Sequence, residues 1–67
     1  MQIQLNGKPY QTEADTLLTL LKEAEGSGAT EGKAIAVNDE VVPSAEWQSY
    51  RLSEGDRVEL VQAYQGG

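Results

Sequence analysis

The residues best placed to do chemistry are the last two, Gly66-Gly67, because a chain's own C-terminal carboxylate is a substrate wherever an enzyme can reach it. Without a Cβ, such a pair threads a slot that rejects side chains and takes backbone angles closed to other residues. The carboxylate, with a reference pKa of about 3.5, is anionic at neutral pH and a poor electrophile until a partner activates it. At average glycine usage, chance places two glycines at a given spot in roughly one chain in 200. A vector-derived scar looks the same. The pair therefore points to carboxylate chemistry without deciding it. The 67 residues include no cysteine and no histidine, which argues against a zinc or iron–sulfur site. The glycines of segment 26–32 (GSGATEG) lack the Lys-Ser/Thr ending and the strand-to-helix context of a P-loop, and they read as a connector.

A chain this short makes one small domain, burying only about 60% of the surface its unfolded form exposes. Its core must come from Ile3, Leu5, Leu17, Leu20, Leu21, Ile35, Val37, Val41, Val42, Val58, Leu60 and Val61. A pocket that swallowed a substrate or cofactor would remove core that the chain cannot spare, so an enzyme is the last reading. Eleven acidic residues against five basic give a net charge of −6. That balance argues against nucleic acid and suits solubility or steering toward basic partner faces. No apolar run approaches the ~20 residues of a membrane span, and strand-like alternation from the first residues leaves no room for a signal peptide. The expected location is cytoplasmic, with no membrane partner.

The carboxylate must be carried by something firm. Met1, Ile3 and Leu5 alternate with glutamines like a half-buried strand, and Asn6-Gly7 is a type I′ hairpin signal. That turn sets Leu5 opposite Lys8 and Ile3 opposite Tyr10, and Pro9 confines the second strand to a sheet edge. Asp15 or Thr16 is the expected cap of a helix. Its apolar stripe is Leu17, Leu20, Leu21 and Ala24, and it ends near Gly26. Strands are expected at Ala34–Val37, at Val41-Val42 and at Arg57–Ala63, with turns at Asn38-Asp39 and Glu54-Gly55-Asp56. Ser44 is the expected cap of a short helical turn that holds Trp47, a core or rim plug. The order predicts an α+β domain, a mixed sheet of four to five strands with one helix packed on one face. With the last strand parallel to the first, this is a single-domain, ubiquitin-like β-grasp whose last strand is central. Residues 1–63 form the body and 64–67 a flexible tail.

Several stretches resemble one known family. They are Asn38-Asp39-Glu40-Val41-Val42-Pro43, Trp47, Leu52-x-x-Gly55-Asp56-x-Val58 and Val61-Gln62-Ala63-Tyr64-Gln65-Gly66-Gly67. Together they resemble the thiamin-biosynthesis sulfur carrier family, over Met1 to Gly67 without a large gap. The Leu-x-x-Gly-Asp-x-Val pattern is shared across β-grasp carriers. The Val-Val-Pro…Trp segment and the Gln-Ala-Tyr-Gln-Gly-Gly ending are more specific. One position departs: members often carry an arginine after that proline, where this chain has Ser44, so no partner contact is carried onto Ser44. The small subunit of molybdopterin synthase, a sister carrier, tends to place Phe-Pro-Pro before its double glycine, where this chain has Gln62-Ala63-Tyr64.

The resemblance implies that Gly67 is the modified residue and that the protein is a co-substrate without catalytic side chains. An E1-like adenylating enzyme uses ATP to make the acyl adenylate, and persulfide sulfur from a cysteine desulfurase or another donor converts it to a thiocarboxylate. Thiazole synthase takes that sulfur for the thiazole ring. The carrier itself binds no cofactor. Gly66, Gln65 and Tyr64 are expected to thread the partners' active sites, with Tyr64 as an aromatic anchor. Two alternatives share the tail, a molybdopterin-synthase-type carrier and a ubiquitin-like modifier joined to lysines. A third is a β-grasp binding module with an inert tail.

Overall fold

Strands β1 (Gln2–Leu5) and β2 (Lys8–Gln11) form the expected hairpin in a computed structural model that describes residues 1–26 and 31–62. Asn6 and Gly7 both have positive φ, 52° and 83°, and the register pairs Leu5 with Lys8 and Ile3 with Tyr10. Helix α1 (Leu17–Glu25) follows, capped by Thr16, whose Oγ1 accepts from Thr19 N at 3.3 Å. Residues 27–30 of the expected connector at 26–32, and the tail at 64–67 with Ala63, lie outside the described residues. Strands β3 (Lys33–Val37) and β4 (Glu40–Val42) are joined by a tight turn at Asn38-Asp39. A 3₁₀ turn at Ser44–Glu46 and the Glu54–Asp56 turn then lead to β5 (Arg57–Gln62).

The sheet order is β2-β1-β5-β3-β4, with β1 and β5 parallel and the other neighbours antiparallel. Pro9 thus lies on an edge strand, where its missing amide costs no ladder bond. The last strand is central, as a β-grasp requires. Leu17, Leu20 and Leu21 press α1 on one face of the sheet, against Ile3, Ile35, Val37 and Val58. Each such fully buried side chain contributes roughly 1.5–3 kcal/mol relative to exposure, and this packing holds a nine-residue helix that would be marginal alone.

Four expectations about side chains are corrected. Val41 and Val61 are not core: they are 76% and 52% exposed. Val41 sits opposite Ala36 and Val61 opposite Ala34, on the face turned away from α1. Ala24 is also exposed, at the margin of the helix stripe. Ser44 does not cap; it lies inside the 3₁₀ turn, which follows Pro43 and has no side-chain cap bond. In place of the exposed residues, the core gains Ala14 and Leu52. Trp47 is a core plug as expected, 1% exposed, with its indole Nε1 donating to Val42 O at 2.7 Å.

The segment after β4 closes the N-terminus of α1. Leu17 N donates to Tyr50 O at 3.1 Å and Leu18 N to Trp47 O at 3.0 Å, while Thr19 N reaches the Thr16 cap. Leu20 N already bonds Thr16 O. That is the first bond of the helix ladder, so the three amides before it, of Leu17, Leu18 and Thr19, which a helix start normally leaves without partners, are all satisfied by the chain itself.

Candidate functional site

The chain leaves the described body at Gln62, the last residue of β5, so the site's architecture is that of this strand. On one side β3 accompanies β5 to its end, pairing Val37 with Val58, Ile35 with Leu60 and Lys33 with Gln62. On the other side β1 pairs only Gln4 with Arg57 and Leu5 with Val58. Beyond Val58 the β1 side of β5 is met by the Asn6 side chain, which bonds the main chain of Leu60. The Gln62 amide also donates through Nε2 to Gly32 O at 3.0 Å, tying the strand's end to the start of β3. The strand is thus held from both sides as far as Leu60, and from the β3 side to Gln62.

The face of the sheet opposite α1 is bare among the described residues. Beside the end of β5 it presents Val61, Ala34, Ala36 and Val41, a small apolar area, and toward the β1–β2 hairpin it turns polar with Gln2, Gln4, Arg57 and Glu59. Arg57 pairs with Asp39 at 3.2 Å with both side chains more than half exposed, so the pair is worth little. A depression of about 160 Å³ lined by Gln4, Gly7, Asp39, Arg57, Val58 and Glu59 lies at the start of β5. It is well below the roughly 300–1,000 Å³ of small-molecule sites and at the wrong end of the strand for the C-terminus. No group of three or more potential metal ligands occurs among the described residues.

Among the described residues, the cluster with shifted titration is structural. Glu23, on α1, accepts from Thr12 Oγ1 at 2.6 Å, from Tyr10 Oη at 3.2 Å and from Glu13 N at 3.4 Å. The Thr12 hydroxyl is the largest cause of a carboxyl held below its ordinary value. Burial and then the neighbouring carboxylate push the Tyr10 phenol up. Buried Thr12 also accepts from Ala14 N at 2.9 Å, so the cluster clips the loop after β2 onto the helix.

The sequence-derived site residues Gly67, Gly66, Gln65 and Tyr64 lie outside the described residues. What the structure adds is the strand that bears them and the Asn6 contact, which sequence reasoning used only as a turn signal. A side-chain amide in a left-handed turn next to a central strand is the clue that was there to be read.

The sequence model of the ThiS family matches residues 3–67. The chain belongs to the ThiS family. Over 68 aligned residues, covering all of both chains, it is 34% identical to the protein named sulfur carrier protein ThiS of Escherichia coli K12. A crystal structure of the thiamine biosynthesis protein ThiS of Geobacter metallireducens superposes with a TM-score of 0.75 at 29% identity, covering 100% of this chain and 99% of that one. A solution structure of a thiamine biosynthesis protein from the same organism gives 0.74 at 26%, covering 100% and 88%. The chain is therefore a homologue of the ThiS sulfur carriers of thiamine biosynthesis, proteins that carry a group rather than catalyse a reaction. Its ubiquitin-like β-grasp fold is theirs.

Proposed function

We propose that this protein carries sulfur on the carboxyl group of Gly67 and delivers it for thiazole formation in the cytoplasm. The observation that supports this most is the placement of β5 between β1 and β3, which gives the chain a firmly held exit toward Gly66-Gly67. From Gln62, five further residues at 3.3–3.6 Å each reach roughly 17 Å, enough to cross an active-site wall while the body stays outside. Gly66 is the slot residue, and Gln65 and Tyr64 thread behind it. Residues 64–67 act as the tail and 1–63 as the body.

The chemistry balances as follows. A carboxylate oxygen of Gly67 attacks the α-phosphorus of ATP on an adenylating enzyme, and pyrophosphate leaves. A persulfide sulfur supplied by a cysteine desulfurase or similar donor attacks the acyl carbon, and AMP leaves. A second thiol cleaves the sulfur–sulfur bond of the acyl persulfide, leaving a thiocarboxylate and a disulfide. The thiocarboxylate sulfur is a far better nucleophile than the oxygen it replaced, and thiazole synthase receives it. The carrier supplies no acid, base or nucleophile from side chains, and ATP and persulfide belong to its partners.

The apolar area of Ala34, Ala36, Val41 and Val61 beside the exit suits a partner that holds the body while the tail reaches inward. The net charge of −6 favours partners with basic rims. Intact mass tests the reading: the chain is incubated with its host's adenylating enzyme, a cysteine desulfurase, a thiol, ATP and cysteine, beside a copy lacking Gly67. Exchange of one oxygen for sulfur in the full chain alone is expected. An unchanged mass, in a reaction that converts a known carrier, would sink the proposal.

A further inference from the structure

The parallel pairing of β1 with β5 stops because β1 turns away at Asn6-Gly7, yet the ladder does not stop there. Asn6 N donates to Val58 O at 2.9 Å, the last bond that the β1 main chain makes to this strand. Had β1 run on, the Leu60 amide would donate to the Asn6 carbonyl, and the Leu60 carbonyl would accept from the amide two residues later. Both positions are filled by one side chain. Leu60 N donates to Asn6 Oδ1 at 2.8 Å, and Asn6 Nδ2 donates to Leu60 O at 3.2 Å. The Asn6 carboxamide stands in for the missing peptide unit, donor and acceptor together. The left-handed backbone of Asn6, φ 52°, is what lets the main chain leave while its side chain stays behind.

We propose that Asn6 is a positioning residue for the C-terminal segment: its side chain holds the outer half of β5 as a central strand and so fixes where the tail begins. Leu60 lies two residues before the end of β5, and from there on β3 supplies the only neighbouring strand. Without the Asn6 amide, that stretch becomes a sheet edge with unpaired main-chain groups. An edge frays, and a frayed root lowers the fraction of molecules whose tail points correctly. The apparent affinity of a partner falls by that fraction, while the chemistry after binding is untouched. The role rests on the carrier reading above and extends it to a residue far from the tail in sequence.

Asn6→Gly tests this, since glycine keeps the positive-φ turn and removes only the amide. Amide exchange of Leu60, followed by NMR, is expected to quicken roughly tenfold or more, with the amides of α1 unchanged. In adenylation by the host's enzyme, well below the melting temperature, KM for the carrier is expected to rise about threefold or more with kcat preserved. Asn6→Asp is the second variant: it keeps an acceptor for Leu60 N but sets a carboxylate against Leu60 O. It is expected to restore none of the lost KM at neutral pH, and to regain Leu60 protection at acid pH, where the protonated carboxyl donates again. An unchanged Leu60 exchange rate in Asn6→Gly would overturn the clamp. Faster exchange with an unmoved KM would overturn the positioning role alone. Wild-type chain that the enzyme does not adenylate would instead overturn the carrier reading, and the positioning role with it.

Discussion

Glu23 and Trp47 show how much a 67-residue body asks of single side chains. Hydrogen bonds from the Thr12 and Tyr10 hydroxyls and the Glu13 amide favour the ionised form of Glu23, so its folded pKa lies below the ordinary 4.5. The stabilisation is complete above that ordinary value and is lost as pH falls through the folded one. Melting temperatures from about pH 7 to about pH 3 should therefore fall less steeply in Glu23→Gln than in the wild type. An identical acid limb would remove Glu23 from the account. For Trp47 the decisive contact is the indole bond to Val42 O inside the core. The register keeps the Ile35 amide of β3 on that carbonyl, so Trp47→Phe removes its second donor, at a cost of about 0.5–1.5 kcal/mol in addition to the smaller ring's packing loss. Urea unfolding followed by circular dichroism measures it, because the substitution removes the chain's sole tryptophan fluorophore. The Trp47 plug was legible from sequence as a lone indole after a proline turn. The Glu23 cluster was not, since its partners lie ten or more residues away and meet only once α1 docks on the sheet.

Elements with local signals were legible to within a residue or so. The Asn-Gly hairpin fixed the β1–β2 register, Thr16 rather than Asp15 is the cap of α1, and Gly26 ends it with φ 75°. Faces were harder. Two consecutive valines in a strand must point to opposite sides, and only the pairing with Ile35 and Ala36 decides that Val42 is core and Val41 is not. The closure of the helix start by the carbonyls of Trp47 and Tyr50 is likewise a contact between distant segments. The turn before β5 belongs to the legible class and yields a clean test. Gly55 has φ 84°, and its amide bonds Gln2 O at 2.9 Å, yet a Cβ there would meet nothing within 4 Å. Backbone strain is then the whole cost of Gly55→Ala, about 1 kcal/mol, and Gly55→Asn should recover part of it. Equal losses for alanine and asparagine in urea melts would point to a contact rather than to φ.

At the scale of the molecule, one face of the sheet is spent on the helix and the other, among the described residues, is left bare beside the strand that leads to the C-terminus. On the carrier reading proposed above, this division lets stability and docking draw on different residues. Val41 separates the two. It is 76% exposed on edge strand β4, so Val41→Lys should change folding stability by no more than about 0.5 kcal/mol. If a partner seats its apolar surface there behind a basic rim, the same change buries an unpaired charge and adds a repulsion. KM for the adenylating enzyme should then rise about tenfold or more with kcat little altered, measured by ATP–pyrophosphate exchange. Salt supplies the control. With a net charge of −6, capture of the wild-type chain should slow as ionic strength rises, since steering is screened beyond about 8 Å at physiological salt. A KM indifferent to both Val41→Lys and salt would mean that the partners grip the tail alone, and that the bare face serves something else.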